Sequence, residues 1–122
     1  MPFRDDPATT LGHIVDNAGR IEGYIVAMDW DGFEQNRLVG DGVERCLERV
    51  CEAVYRLGPQ AERLMPGQPW ADIRGMGNRL RHAYDEISLE VIWDTVRNEL
   101  PKRASAAQTA RASLHPGATP TA

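Results

Sequence analysis

The sequence predicts an all-α fold, an antiparallel bundle of four to five helices, and three observations carry that expectation. Apolar residues recur at helical intervals along two long stretches, Leu11, Ile14, Ala18, Ile21, Ile25, Met28 and then Val43, Leu47, Val50, Val54, Leu57, Ala61, Leu64. Spacings that alternate between three and four place each set on one stripe of a helix. The breaks between such stretches are short, and short connections join antiparallel neighbours. No segment alternates with the period of a strand, and no repeat of roughly 20 to 50 residues appears.

Element by element, Asp6-Pro7 is an N-cap and first-turn pair for the first helix. Met28-Asp-Trp-Asp-Gly ends that helix, and a short helix is expected from Phe33 to Leu38. The second long helix runs from about 42 to 64, with Gly58-Pro59 bending it or ending its main segment. Glu44, Arg45, Glu48, Arg49, Glu52 and Arg56 fill its other faces, and Glu52 with Arg56 forms an i,i+4 pair. Met65-Pro-Gly-Gln-Pro punctuates the chain. A third helix is expected from Trp70 to Tyr84, with Ile73, Met76, Leu80 and Ala83 inward. A fourth begins near Ser88 as N-cap, with Leu89, Ile92, Val96 and Leu100 facing inward, and stops at Pro101. Residues 102–122, rich in Ala, Thr, Ser and Pro, are expected as a disordered tail behind a helical domain of residues 1–101.

A chain of 122 residues suits one domain with one core. Fourteen basic residues against 18 acidic ones give a formal charge of −4, so any contact with nucleic acid must be local, and DNA binding is not expected. Cys46 and Cys51 point to different sides of one helix, have no zinc spacing, and read as small buried hydrophobes in a reducing cytoplasm. No apolar run approaches the ~18 residues of a membrane span, and the N-terminus lacks the apolar core of a signal peptide. A cytoplasmic location without a membrane partner is expected.

Chemistry concentrates between Trp70 and Asp85. Asn78 precedes His82 by four, so the two share a helical face, and Arg74 lies another four back. Arg79 and Arg81 flank them, and Tyr84 follows at the helix end. These residue types suit phosphodiester cleavage. A neutral imidazole takes a proton from a ribose 2′-hydroxyl and its protonated form gives one to the leaving oxygen. A guanidinium holds the phosphate and stabilises its developing charge. An asparagine amide orients the ring or donates to a phosphate oxygen. The scheme needs no metal or cofactor, and no metal-ligand cluster stands in the sequence. The same residues also read as a solvated surface, with His82 placed where a helix C-terminus favours a cation. His13 reads as a first-turn surface residue, His115 falls in the tail, and Tyr24, Tyr55 and Trp30 read as packing residues. Glu48 and Glu52 read as solvated or salt-bridged side chains.

The order Gly75-Met-x-Asn-x-Leu-x-His82-x-Tyr84, followed by Trp93 and Leu100-Pro101, resembles the C-terminal half of HepT-like proteins of the HEPN superfamily. Val43-x-Arg45-x-Leu47-Glu48 with Glu52-Ala53 resembles that family's second long helix, and His13-Ile14 with Ile21-x-x-Tyr24 its first. The resemblance covers about residues 8 to 101. It implies a homodimeric HEPN bundle, a metal-independent ribonuclease toxin with its site in a cleft between protomers, and RNA as substrate. It also implies a minimal nucleotidyltransferase antitoxin that transfers AMP from ATP to the motif tyrosine, here Tyr84. His82 matches the motif histidine, Asn78 the polar residue after the motif arginine, and Arg74, Arg79 and Arg81 are candidates to touch RNA. The alternative is a non-enzymatic nucleotide-binding or scaffold subunit paired with a nucleotidyltransferase.

The departure lies at Gly77, which occupies the position of the motif arginine. Mid-helix glycine costs roughly 1 kcal/mol against alanine. One explanation is a substitution that disarms the toxin, and the other is close helix contact at a dimer interface. The first leads to the expectation that Gly77→Arg restores RNA cleavage and also stabilises its helix.

Overall fold

In the computed structural model, residues 6–82, 85 and 87–114 are described, with Trp70 and Ala71 as backbone only. The first helix, α1 (Pro7–Ile25), starts as its sequence asks: Asp6 accepts the Thr9 N–H at 2.9 Å and proline fills the first turn. Asp29 caps α2 (Trp30–Gln35), and Asn36 caps the long α3 (Arg37–Leu57) by accepting the Val39 N–H at 3.0 Å. Gly58, at φ +56°, ends α3 in a backbone conformation that favours glycine. A single short turn follows, α4 (Gln60–Leu64), so the pair Gly58-Pro59 terminates the helix rather than bending it.

Then come α5 (Trp70–His82) and α6 (Leu89–Asp94), the latter capped by Ser88 through the Val91 N–H at 3.2 Å. The chain continues through a π-helical turn (Thr95–Glu99) into α7 (Leu100–Leu114). The described residues contain no strand, and the all-α expectation holds. Ala83 and Tyr84, expected at the end of the third helix, lie outside the described residues.

The core forms where α1, α3 and α7 pack together, with α5 laid on α3. Leu11, Ile14 and Ile21 of α1 and Val43 and Leu47 of α3 are essentially without solvent contact, as their two stripes predict. Burying such side chains stabilises by about 1.5–3 kcal/mol each. At one end, Phe33 stacks on Trp93 with ring centres 4.8 Å apart, and Trp30 leans on both. Arg97 lies 5.0 Å over the Trp93 ring and donates to the Met28 carbonyl at 3.2 Å, tying the end of α1 to the π-turn. Trp30 is thus a packing residue as expected. Tyr24 and Tyr55 are not buried, at 44% and 64% exposure, which corrects their reading as packing residues.

Two further expectations are corrected. Pro101 does not stop the last helix, and residues 102–114 are not a disordered tail, because α7 runs to Leu114 with Ala107 and Ala110 buried. The wide turn before Pro101, in which the Leu100 N–H reaches back to the Thr95 carbonyl, accommodates a residue that lacks an N–H and crowds the carbonyl four back. Residues 115–122 lie outside the described residues.

The other correction concerns Gly77. A Cβ built at this position would stand 2.6 Å from Cys51 Cβ, closer than real side chains pack. The glycine therefore lets α5 close onto α3 within one chain. Burial at this contact pushes the Cys51 thiol up to about 12, with Arg81 acting in the opposite direction and Glu48 adding to the rise. An added methyl must displace a Cβ, which sits too near the backbone to swing away. Overpacking of this kind costs about 1–3 kcal/mol, more than the ~1 kcal/mol gained in helix propensity. Gly77→Ala is accordingly expected to lower the urea midpoint with an unchanged slope, and a raised midpoint would show that α5 shifts freely.

Candidate active site

The face of α5 turned to α3 carries Ile73, Gly77 and Leu80, spaced four and three apart, with Gly77 and Leu80 buried. That seating decides where the polar residues go. Asn78 and His82 lie about 40° apart on the helix, and both are exposed. Arg79 is exposed beside them. Among the described residues, none of these three side chains has a hydrogen bond or ion pair, so each is available to a ligand. Arg79, Arg81 and His82 form the last turn of α5, where the helix dipole favours positive charge.

The remaining candidates divide. Arg81 reaches back to α3, its Nη1 3.4 Å from Glu52 Oε1, while Glu52 also meets Arg56 at 3.4 Å. Arg74 is half-buried and donates from Nη2 to the Gly58 carbonyl at 3.3 Å, so it satisfies the end of α3 instead of lining a rim with Arg79. Gly77 lies about 140° round the helix from His82, on the inner face. Tyr84 lies outside the described residues. Among the described residues no cluster of His, Cys, Asp or Glu is placed to hold a metal ion, and no helix is long and apolar enough to cross a membrane.

Two concave features flank α5. One is an apolar hollow of about 230 Å³ whose walls include Leu47, Val50 and Val54 of α3 and Ile73 and Met76 of α5. The other is a polar cleft of about 410 Å³ between α1 and α3, bordered by Arg81 of α5. His13 and Asn17 line it from α1, and Arg45, Arg49 and Arg56 from α3. His13 is an exposed second-turn residue, one turn later than expected. Glu48 and Glu52 are salt-bridged in this cleft, as the sequence suggested, to Arg45 and to Arg56 with Arg81. Arg45, Arg49 and Arg56 form a group that sequence reading passed over, although their offsets of four and eleven bring them within about 40° of one line.

The residue pattern and helix order now meet direct comparison. The family model described as Ribonuclease HepT-like matches residues 14–110. The chain belongs to the HepT-like ribonuclease family. A Methanocaldococcus jannaschii protein named "Putative RNase MJ0125" is 30% identical over 102 residues, which cover 84% of this chain and 87% of that protein. Another from the same organism, "Putative RNase MJ0127", is 33% identical over 101 residues, covering 83% of each. The "Probable ribonuclease HepT" of Thermococcus cleftensis is 30% identical over 81 residues, covering 66% of this chain and 74% of that protein. No solved structure matches the chain significantly. The family match runs through residue 110, so this HEPN chain's α7, including buried Ala107 and Ala110, belongs to the domain and not to a tail.

Proposed function

We propose that this HepT-like chain is the toxin of a HEPN/nucleotidyltransferase toxin–antitoxin pair, a metal-independent endoribonuclease whose site forms where two copies meet. The observation that carries the reading is the exposed pair Asn78 and His82 on α5, with Arg79 beside it, in a member of a ribonuclease family. His82 Nδ1 or Nε2, when neutral, accepts the proton of a ribose 2′-hydroxyl as that oxygen attacks phosphorus. The P–O5′ bond breaks, the imidazolium returns a proton to the leaving oxygen, and a 2′,3′-cyclic phosphate and a free 5′-hydroxyl result. Asn78 orients the imidazole or donates to a phosphate oxygen, and Arg79 and Arg81 hold the strand by charge.

Gly77 removes the motif arginine from this scheme, and the motif position faces Cys51 on the inner side of α5. That packing also favours the second reading, a nucleotide-binding or scaffold subunit without catalysis, because glycine here has a structural use of its own. One variant separates the two. Gly77→Arg is expected to raise RNA cleavage by a factor on the order of 10²–10³, the usual worth of one charge-assisted stabiliser. It is also expected to lower the urea midpoint, the reverse of the gain that helix propensity alone suggests. Adding His82→Ala should abolish the cleavage. A folded Gly77→Arg chain that cleaves no better than the parent would leave position 77 purely structural.

The antitoxin half of the reading rests on Tyr84. With the cognate nucleotidyltransferase, ATP and Mg²⁺, AMP is expected on Tyr84 and not on Tyr24 or Tyr55, as read by mass spectrometry with Tyr84→Phe as control. Bulk and negative charge added there would keep RNA from the cleft. Labelling of another tyrosine would remove this half of the account.

Assembly is the third part. The apolar hollow beside Ile73 and Met76 is the kind of surface a second copy covers. A dimer is expected by light scattering at micromolar concentration. A monomeric parent would remove the shared-cleft site.

A further inference from the structure

The polar cleft between α1 and α3 is built in a way that the motif residues do not account for. In a chain of net charge −4, Arg45, Arg49, Arg56 and Arg81 face it against only Glu48 and Glu52. Arg49 has no side-chain hydrogen bond or ion pair among the described residues. The other guanidiniums stand 3.2–3.4 Å from a carboxylate, in pairs that are largely solvent-exposed. Exposed pairs of that kind are weak, so an incoming phosphate can share or replace the carboxylate.

Asn17 supplies a second, independent sign. It is buried to 7% exposure on the cleft's α1 wall. Its Nδ2 donates to the His13 carbonyl at 2.9 Å, which fixes the amide, since the flipped form would set two acceptors against each other. Oδ1 is then left buried with no hydrogen-bond partner. Buried acceptors are seldom left unpaired, and this one, closed to solvent in the free chain, gains a donor when a ligand in the cleft shifts the side chains over it. A phosphodiester group alone brings none, whereas a ribonucleotide brings a 2′-hydroxyl or an exocyclic amine together with its phosphate.

We propose that this cleft is a ribonucleotide subsite: its arginines take a phosphate of an RNA strand, and Asn17 Oδ1 accepts a hydrogen bond from the sugar or base of the nucleotide seated there. The inference rests on the ribonuclease reading and extends it. Arg81 borders the cleft and lies in the same last turn of α5 as His82, about 100° from it round the helix, so cleft and imidazole sit at one end of α5. The subsite lies on α1 and α3 of one protomer and sets which nucleotide flanks the cut, while α5 supplies the chemistry.

The test is fluorescence anisotropy of the full chain with a labelled single-stranded RNA, titrated across salt. Arg49→Ala is expected to weaken binding about fivefold and to reduce the salt slope by roughly 0.7, the contribution of one phosphate contact on a single strand. Asn17→Leu should weaken binding about threefold with the slope unchanged, because it removes an acceptor and no charge. Lys102→Ala, on α7 and outside the cleft's lining, should change neither. If Asn17→Leu fails to fold by circular dichroism, the exposed Arg49→Ala decides alone. Unchanged affinity and slope in Arg49→Ala overturn the subsite, and if His82 still governs cleavage the nuclease reading survives without it. RNA binding that depends on Arg49 in a chain that cleaves nothing, even as Gly77→Arg, keeps the subsite and removes the nuclease. AMP binding that is lost in Arg49→Ala while RNA binding is untouched overturns the strand as occupant in favour of a free nucleotide.

Discussion

The contact of Gly77 with Cys51 sets the position of α5 and of the motif residues it carries. A thirteen-residue helix is marginal on its own, and α5 carries only a thin inner stripe of Ile73, Met76, Gly77 and Leu80. Its place is therefore fixed by what it packs against. With no Cβ at 77, the axis of α5 comes close enough to α3 for its longer side chains to reach across. Arg74 then meets the Gly58 carbonyl at one end of the contact, and Arg81 meets Glu52 at the other. These anchors hold the helix against rotation, and with Leu80 buried the Asn78 and His82 side chains point out to solvent.

The same contact puts two demands on one position. An arginine at the motif site serves phosphate chemistry but needs room that the Cys51 side of α3 does not leave. A glycine gives the tight seat and forgoes the charge. Cys51 is part of the bargain: it is small and buried, and its thiol, pushed up to about 12, stays protonated and behaves as an apolar group. A larger residue there would separate the helices as surely as a side chain at 77. In this chain positions 51 and 77 form one unit, and neither can be understood by reading α5 alone.

Much of this was legible in the sequence, and the failures have physical causes. The stripes of α1 and α3, the caps at Asp6 and Ser88 and the break at Gly58 follow from spacing and local hydrogen bonding, which are properties of neighbouring residues. The last helix escaped notice for two reasons. Beyond Leu100 its buried positions are alanines, too small to stand out as an apolar stripe, and Pro101 carries a strong local stop signal that a π-helical turn overrides. The residues of the motif were readable as a group, but Arg74 was grouped with them by helical phase alone. Only the fold shows that it is spent on a backbone carbonyl. The reason for Gly77 was out of reach, because its partner lies twenty-six residues earlier on another helix. The arginines of α3 were visible but looked like an ordinary solvated face until α1 and Arg81 were set around them.

That last point bears on how an acidic protein can handle RNA at all. Over the whole surface the excess of carboxylates repels a polyanion, but at physiological salt exposed charges act over only about 8 Å. Beyond that distance the net charge of the chain matters little, and the local count decides. Along the cleft the count is reversed, with four guanidiniums against two carboxylates. The carboxylates need not cancel the arginines. Glu48 and Glu52 meet Arg45, Arg56 and Arg81 at 3.2–3.4 Å in exposed contacts weak enough for a phosphate to share or displace. Arg49, held by none of them, is left to make first contact. On the proposed subsite reading, a basic cleft in an acidic exterior favours a strand along that path and repels it elsewhere, so selectivity would follow from where the chain places such cations.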